Sequence, residues 1–425
     1  MHSTRLLAFV CPLLALGCSS ATTVDAGGDV HVSGDGGIDA ITNDDGSGDD
    51  VRDDGGIDVP GDVPRDVVRD VVRARDVPAV DGGARSDRVG VALPVAIWSP
   101  PGVLETFLDT IASQTHVGWI RTGAQWSSIE RTRGSYSFAA TDRFVTETRA
   151  RGIRAVLNLA YAPMWAWPAG ADPSATSTDN FAPGTAFVAD FGRFCGAMAA
   201  RFAPMGVMHY EVWNEPNLAL FFQPRPDPTL YGQLLRACGS AIHAAAPGAT
   251  VIAGAFAAFA NDSASGGNPN NFHLSAPGFL RTLYAAGVMD QADAVSTHPY
   301  SYPNLPTDPG ATNGFSGVTP VLRQAMDDNG DSAKEIWGTE FGAPTCSTCP
   351  GGGVTPMRQA QIFTVGYTAW NAMTTPTGPL FLYTWSDVAL ADGTSPDDVR
   401  DIHFGVVFPD GGMKEPGFGT FAALR

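Results

Sequence analysis

Between Val24 and Arg88 the 425-residue chain has no aromatic residue and no Glu, so this stretch lacks the large apolar side chains from which a core is built. It carries 17 Asp against 7 Arg, a net charge near −10, with Gly, Val and Pro filling most of the rest. That composition reads as a disordered tether. A crude repeat, Asp-Val-Pro or Asp-Val-Val, starts at Asp58, Asp62, Asp66 and Asp70, and like-charge repulsion along it favours an extended segment. The ordered ligand spacing and closing Glu of an EF-hand loop are missing, which argues against a calcium site there.

A long apolar run is missing as well. Arg5 precedes an apolar stretch from Leu6 to Leu16, too short to span a bilayer as a mature helix, that ends at Gly17-Cys18-Ser19-Ser20. This is the layout of an export signal. The run Leu14-Ala15-Leu16-Gly17-Cys18 resembles a bacterial lipobox, with Ala15 at the place usually held by Leu. The resemblance implies a signal peptide over residues 1–18, lipidation of Cys18, a linker over 19–88 and a cell-envelope location. An ordinary secretory signal with an incidental Cys18 is the alternative.

Cysteine is scarce, with six in all. Cys11 and Cys18 belong to the leader, so an exported fold is left with Cys195, Cys238, Cys346 and Cys349. The simplest pairings are Cys195 with Cys238, on successive helical runs, and Cys346 with Cys349, in a loop rich in Gly and Pro. A zinc site at Cys346-Ser347-Thr348-Cys349 would need further Cys or His ligands, and nothing nearby in sequence supplies them. No metal or cofactor is expected.

The remaining segment, 89–425, is long enough for one large domain. Taking the leader (+1) and the tether (−10) from the total of −18 leaves −9, which disfavours nucleic acid or an anionic lipid surface as partner and suits a neutral substrate. Strand-like runs alternate with helical ones about eight times, at Val91 to Ile97, Val117 to Thr122, Arg154 to Leu159, Met208 to Trp213, Thr250 to Ala253, Ala294 to Thr297, Glu335 to Thr339 and Leu380 to Thr384. Phe187 to Phe202 and Leu230 to Ala245 show helical spacing, the latter stopped by Pro247-Gly248. The pattern predicts an α/β fold, a (β/α)8 TIM barrel acting as a monomer.

Two glutamates fall where a parallel barrel places chemistry. Pro216 cannot donate a ladder hydrogen bond and disfavours helix at the residue before it, so the strand through Val212 and Trp213 stops and Glu215 lies at its carboxyl end. Glu340, in Thr339-Glu340-Phe341-Gly342, holds the matching place on a later strand. Paired carboxylates suggest glycoside hydrolysis. Glu211, four residues before Glu215 inside the strand, and Glu335, at the opposite end of its strand, are decoys.

From 89 to 425 the chain resembles retaining glycoside hydrolases of clan A, in particular family 39 and its relatives. Five segments carry the likeness: Trp119-Ile120-Arg121 with Trp126-Ser127-Ser128-Ile129-Glu130; Tyr161-Ala162-Pro163-Met164-Trp165; Trp213-Asn214-Glu215-Pro216-Asn217; Ser296-Thr297-His298-Pro299-Tyr300; and Thr339-Glu340-Phe341-Gly342. The resemblance implies that Glu215 is the acid/base and Glu340 the nucleophile. It puts Arg121 and Tyr300 beside Glu340, His298 near Glu215, Asn214 on the sugar's 2-hydroxyl and Trp385 beneath the sugar. Trp98, Trp126, Trp165 and Trp167 are further aromatic platforms in this reading, each as readily a core residue, while Trp213 and Trp337 lie within strands and read as structural. A catalytically silent carbohydrate-binding barrel on the cell surface, or an interaction protein working through its tether, are the rival readings. Family 39 xylosidases carry β-structure beyond the barrel. Here the sequence stops soon after Phe418-Gly419-Thr420-Phe421, which favours a single-barrel enzyme acting on a polysaccharide or oligosaccharide.

Overall fold

The computed structural model describes residues 84–94, 96–172, 180–263, 272–346, 349, 352–388 and 400–425. The signal, the Cys18 site and the linker up to residue 83 lie outside the described residues, as does 264–271 of the loop from Asn261 to Ala276. Among the described residues, no helix is long and apolar enough to cross a membrane.

Eight buried, largely apolar runs form parallel strands: β1 (Val89–Ala92), β2 (Trp119–Gln125), β3 (Arg154–Ala160), β4 (His209–Val212), β5 (Thr250–Ala257), β6 (Ala294–His298), β7 (Glu335–Phe341) and β8 (Thr377–Tyr383). Each pairs with the next, and β8 returns to β1, with Ala92 opposite Tyr383. Closure leaves no exposed edge, which is why strands this short are stable here. The connecting helices are α1 (Val103–Gln114), α2 (Trp126–Ile129), α3 (Ala139–Ala150), α4 (Val188–Phe202), α5 (Pro228–Ala245), α6 (Ala276–Ala285), α7 (Thr319–Asp328) and α8 (Pro356–Asn371), with α9 (Gly417–Ala422) after the last strand. This is the expected (β/α)8 barrel.

Boundaries differ from expectation most at four strands: β2 runs on to Gln125 and β5 to Ala257, and the first and last strands shift as well. β1 ends at Ala92, and Ala96–Trp98 is a 3-10 turn, because Pro94 cannot donate to the ladder. β8 starts three residues earlier than its apolar run suggests, at Thr377.

α4 and α5 pack closely, with Gly192 set against Ala237 and Gly196 against Ala241. The Cys195–Cys238 disulfide cross-links them and the second forms between Cys346 and Cys349, so both pairings are those expected. α5 begins with Asp227, whose carboxylate accepts from the amides of Thr229 (2.8 Å) and Leu230 (3.0 Å), followed by Pro228 in the first turn.

Candidate active site

The carboxyl ends of β2, β3, β4, β6 and β7 converge on one polar cluster. β4 leaves its ladder at Val212, and both Trp213 (φ 70°) and Glu215 (φ 44°) adopt the left-handed backbone that non-glycine residues avoid. The bend is held from outside the strand. Trp213 donates its amide to the Leu159 carbonyl (3.0 Å), and Glu215 donates its own to the Ala255 carbonyl (3.1 Å). Ala255 is itself in the left-handed region (φ 53°), where the register between β5 and β6 shifts, so a bulge in β5 forms the seat for Glu215.

Arg121 on β2 joins the cluster. It is 3 % exposed and donates from three nitrogens: Nε to Glu211 (2.6 Å), Nη1 to Glu340 (2.8 Å) and Nη2 to the Asn214 Oδ1 (2.8 Å). Tyr300 donates its hydroxyl to the other Glu340 oxygen (2.9 Å). The His298 Nδ1 is hydrogen-bonded to Glu215 at 2.7 Å and lies 3.5 Å from Glu340. One imidazole nitrogen therefore touches both carboxylates, and those two distances end to end cap the gap between the contacting oxygens at roughly 6 Å, below the separation of about 6.5–9.5 Å that leaves room for a water between them.

Burial raises the proton affinity of both glutamates, but unequally. Glu215 is held well above the usual carboxylate range by burial and by the Glu340 charge, with Asp401 adding to the effect and Arg121 opposing it. Burial also lifts Glu340, to about 7, against the pull of Arg121 and the Tyr300 hydroxyl. Glu340 has two donors and ionises first. Glu215 is the carboxyl favoured to hold a proton, and its Oε2 has no hydrogen-bond partner. Burial, reinforced by Arg121, holds His298 well below the usual imidazole range, so the ring between them is neutral.

Beside this cluster opens a cavity of about 410 Å³ whose wall includes Arg121, Gln125, Asn158, Asn214, Glu340 and Asp401. Glu215 stands behind that wall, 1 % exposed. Trp385 reaches the cavity but is only 1 % exposed, with its ring edge-on to Phe418. Trp126 needs correcting as an aromatic platform. Its ring is wholly buried against Trp165, Phe191 and Phe194, and its Nε1 donates to Glu130 (2.6 Å), leaving no open face. Trp165 is half-buried beside it, donates to the Glu130 carbonyl (3.0 Å) and has the Arg133 guanidinium 5.7 Å from its ring, away from the cavity. Trp98 is 36 % exposed at the turn that precedes the cavity-lining Ser99.

The fold also brings in residues that carry no signal in sequence spacing. Asp401 and Tyr383 line the cavity. Near the Cys346–Cys349 pair, His403 places a ring nitrogen so that the three possible ligand atoms lie within 4.8 Å of one another. The further ligand missing from the local sequence is thus supplied by the fold. Both sulfurs are engaged in the disulfide, however, and offer no thiolate to a metal.

No family model and no curated protein matches the chain. Solved structures do. A family 39 glycoside hydrolase from the gut symbiont Bacteroides cellulosilyticus is similar at 22% identity and a TM-score of 0.58, over 80% of this chain and 64% of that one. A family 39 beta-xylosidase from Caulobacter crescentus shows 20% identity and a TM-score of 0.57, over 82% and 72%. The GH5_18 protein from Streptomyces cattleya, solved in complex with GlcNAc, shows 17% and 0.55, over 80% of each chain. The chain thus spans less than two thirds of the first of these. Its fold is the (β/α)8 barrel that these glycoside hydrolases share.

Proposed function

We propose that this protein is a retaining O-glycoside hydrolase that cleaves a polysaccharide or oligosaccharide by double displacement. The observation that carries the reading is a pair of buried carboxylates meeting at one neutral imidazole, with charge-stabilising donors on one of them only. In the first step a Glu340 oxygen attacks the anomeric carbon while Glu215 gives its proton to the departing glycosidic oxygen, leaving a glycosyl ester on Glu340. Glu215, now ionised, takes a proton from water as that water attacks the anomeric carbon and frees Glu340. Asn214 uses its Oδ1 on Arg121, so its amide nitrogen is the end left for the sugar's 2-hydroxyl.

The structural neighbours support glycosidase chemistry in general, since their names include a xylosidase and an exo-mannosidase. The cavity supports a neutral sugar. Arg121 is its one cation among the described residues and is already paired with Glu211 and Glu340, while Asp387 and Asp401 are acidic. The leader and tether support export and attachment to a cell envelope through Cys18. Hydrolysis of aryl glycosides tests the reading, together with reducing-end release from plant, fungal and bacterial polysaccharides. Glu340→Gln should lower turnover on the order of 10⁴-fold, and azide should rescue Glu340→Gly to give the glycosyl azide of inverted configuration. An unmutated protein that binds glycans but turns over none of them is a silent carbohydrate-binding barrel instead.

A further inference from the structure

Glu211 is a fully buried carboxylate on β4 to which double displacement assigns no step. Three neighbouring strands aim donors at it. Its Oε2 accepts from Arg121 Nε (2.6 Å) on β2 and Asn158 Nδ2 (2.9 Å) on β3, and its Oε1 accepts from the Ser296 hydroxyl (2.7 Å) on β6. Ser296 has no choice in this. Its oxygen already accepts the Ala255 amide (2.6 Å), so its single proton goes to Glu211. A carboxylate gripped by three donors is fixed in place, and a guanidinium is a rigid fork. Once Nε is tied to Glu211, the directions of Nη1 and Nη2 follow, and these are the nitrogens that hold Glu340 and Asn214.

We propose that Glu211 is a positioning residue that aims the Arg121 fork at Glu340 and Asn214 and offsets its charge, so that Glu340 is ionised without being locked into a private ion pair. The inference rests on the double-displacement reading of the same site. The titratable and charged groups facing Glu340 are Arg121, Glu211, Glu215, His298 and Tyr300, with Asp401 acting on Glu215. Among them Glu211 and Arg121 oppose each other. The Glu211 charge raises the proton affinity of Glu340 and Arg121 lowers it. Neutralising Glu211 therefore lets Arg121 act on Glu340 unopposed, making it more acidic and a poorer nucleophile.

The test compares Glu211→Gln and Glu211→Asp by pH-rate profile and by carbon-13 NMR titration of labelled Glu carboxyls, with the Glu340 signal assigned by its loss in Glu340→Gln. For Glu211→Gln we expect kcat to fall about 10²-fold with KM little changed, and the acid limb to move down by roughly one pH unit. The Glu340 carboxyl should titrate lower by the same amount. Glu211→Asp keeps the charge but shortens the reach, so its acid limb should stay in place while kcat falls. A folded Glu211→Gln whose acid limb and Glu340 titration do not move overturns the proposal and leaves Glu211 a structural anion. Where Glu211→Gln does not fold, an unchanged kcat in Glu211→Asp does the same. The NMR titration needs no turnover, so an inert protein sinks the glycosidase reading while the effect of Glu211 on Glu340 is still measured.

Discussion

Each end of the barrel holds a largely buried histidine, and the two differ in what surrounds them. At the amino end, His209 begins β4 with its ring 4.7 Å from Trp119 and 5.5 Å from Trp337, and burial with the nearby Arg154 pushes its pKa down to about 4. At the carboxyl end, His298 closes β6 and is pushed down for the same two kinds of reason, burial and an arginine. Both imidazoles are neutral. His209 meets aromatic faces, and Gly378 makes room for them, since a side chain there would put a Cβ 2.3 Å from the Trp337 Nε1. His298 meets two carboxylates. Burial with a nearby arginine thus makes a neutral histidine at either end, whereas the partners decide whether it packs a barrel floor or sits between two carboxylates.

The contrast breaks if a change at one end shows up in the other end's observable. Trp337→Ala removes a large ring from the floor and should cost about 3–5 kcal/mol in denaturant unfolding, with the pH-rate profile of the surviving folded protein unmoved. A displaced pH limb would mean that the two ends are coupled. Tyr300→Phe keeps the ring but removes one donor to Glu340, a loss of about 1.5–3 kcal/mol in transition-state stabilisation, read as a fall in kcat/KM of tenfold or more. The sign of its pH effect is fixed. The hydroxyl favours the Glu340 anion, so without it the pKa rises above about 7 and the acid limb moves to higher pH. An acid limb that stays put or moves down would remove Tyr300 from the charge balance. The smallest effect belongs to Glu335, exposed at the amino end and accepting from the Trp337 Nε1 (2.8 Å). Glu335→Gln should change stability by less than about 0.5 kcal/mol and leave turnover alone, and a loss of activity would place chemistry at the wrong end of the barrel.

Much of the fold was legible because barrel strands are local signals. Runs such as Arg154 to Leu159 and Ala294 to Thr297 announce themselves by apolar, β-branched composition between helical stretches, and all eight strands formed where such runs stand. β1 was overextended because Ala96 and Ile97 read as strand in composition, whereas the proline before them ends the ladder. The positions of Glu215 and Glu340 were legible from the residues that terminate or follow their strands. The role of Glu211 was not. Its place inside the strand made it read as a decoy, because its donors lie 90, 53 and 85 residues away on strands that meet only when the barrel closes. Trp126 misled for the converse reason. An aromatic just past a strand end suits a sugar platform, and only the packing of α4 reveals that its faces are taken by Phe191 and Phe194.

By itself, the sequence determined the alternation of strand and helix and the two carboxylates at strand ends, because each depends on neighbours a few residues away; it offered the disulfide partners only as the simplest pairing, which the fold then formed. The tertiary structure decided the rest. It set which imidazole lies between the carboxylates, how Arg121 divides its donors among Glu211, Glu340 and Asn214, and how far burial raises the proton affinity of each glutamate. Those properties come from desolvation and from distances of about 3 Å between residues far apart in the chain, and closure of the barrel alone creates both.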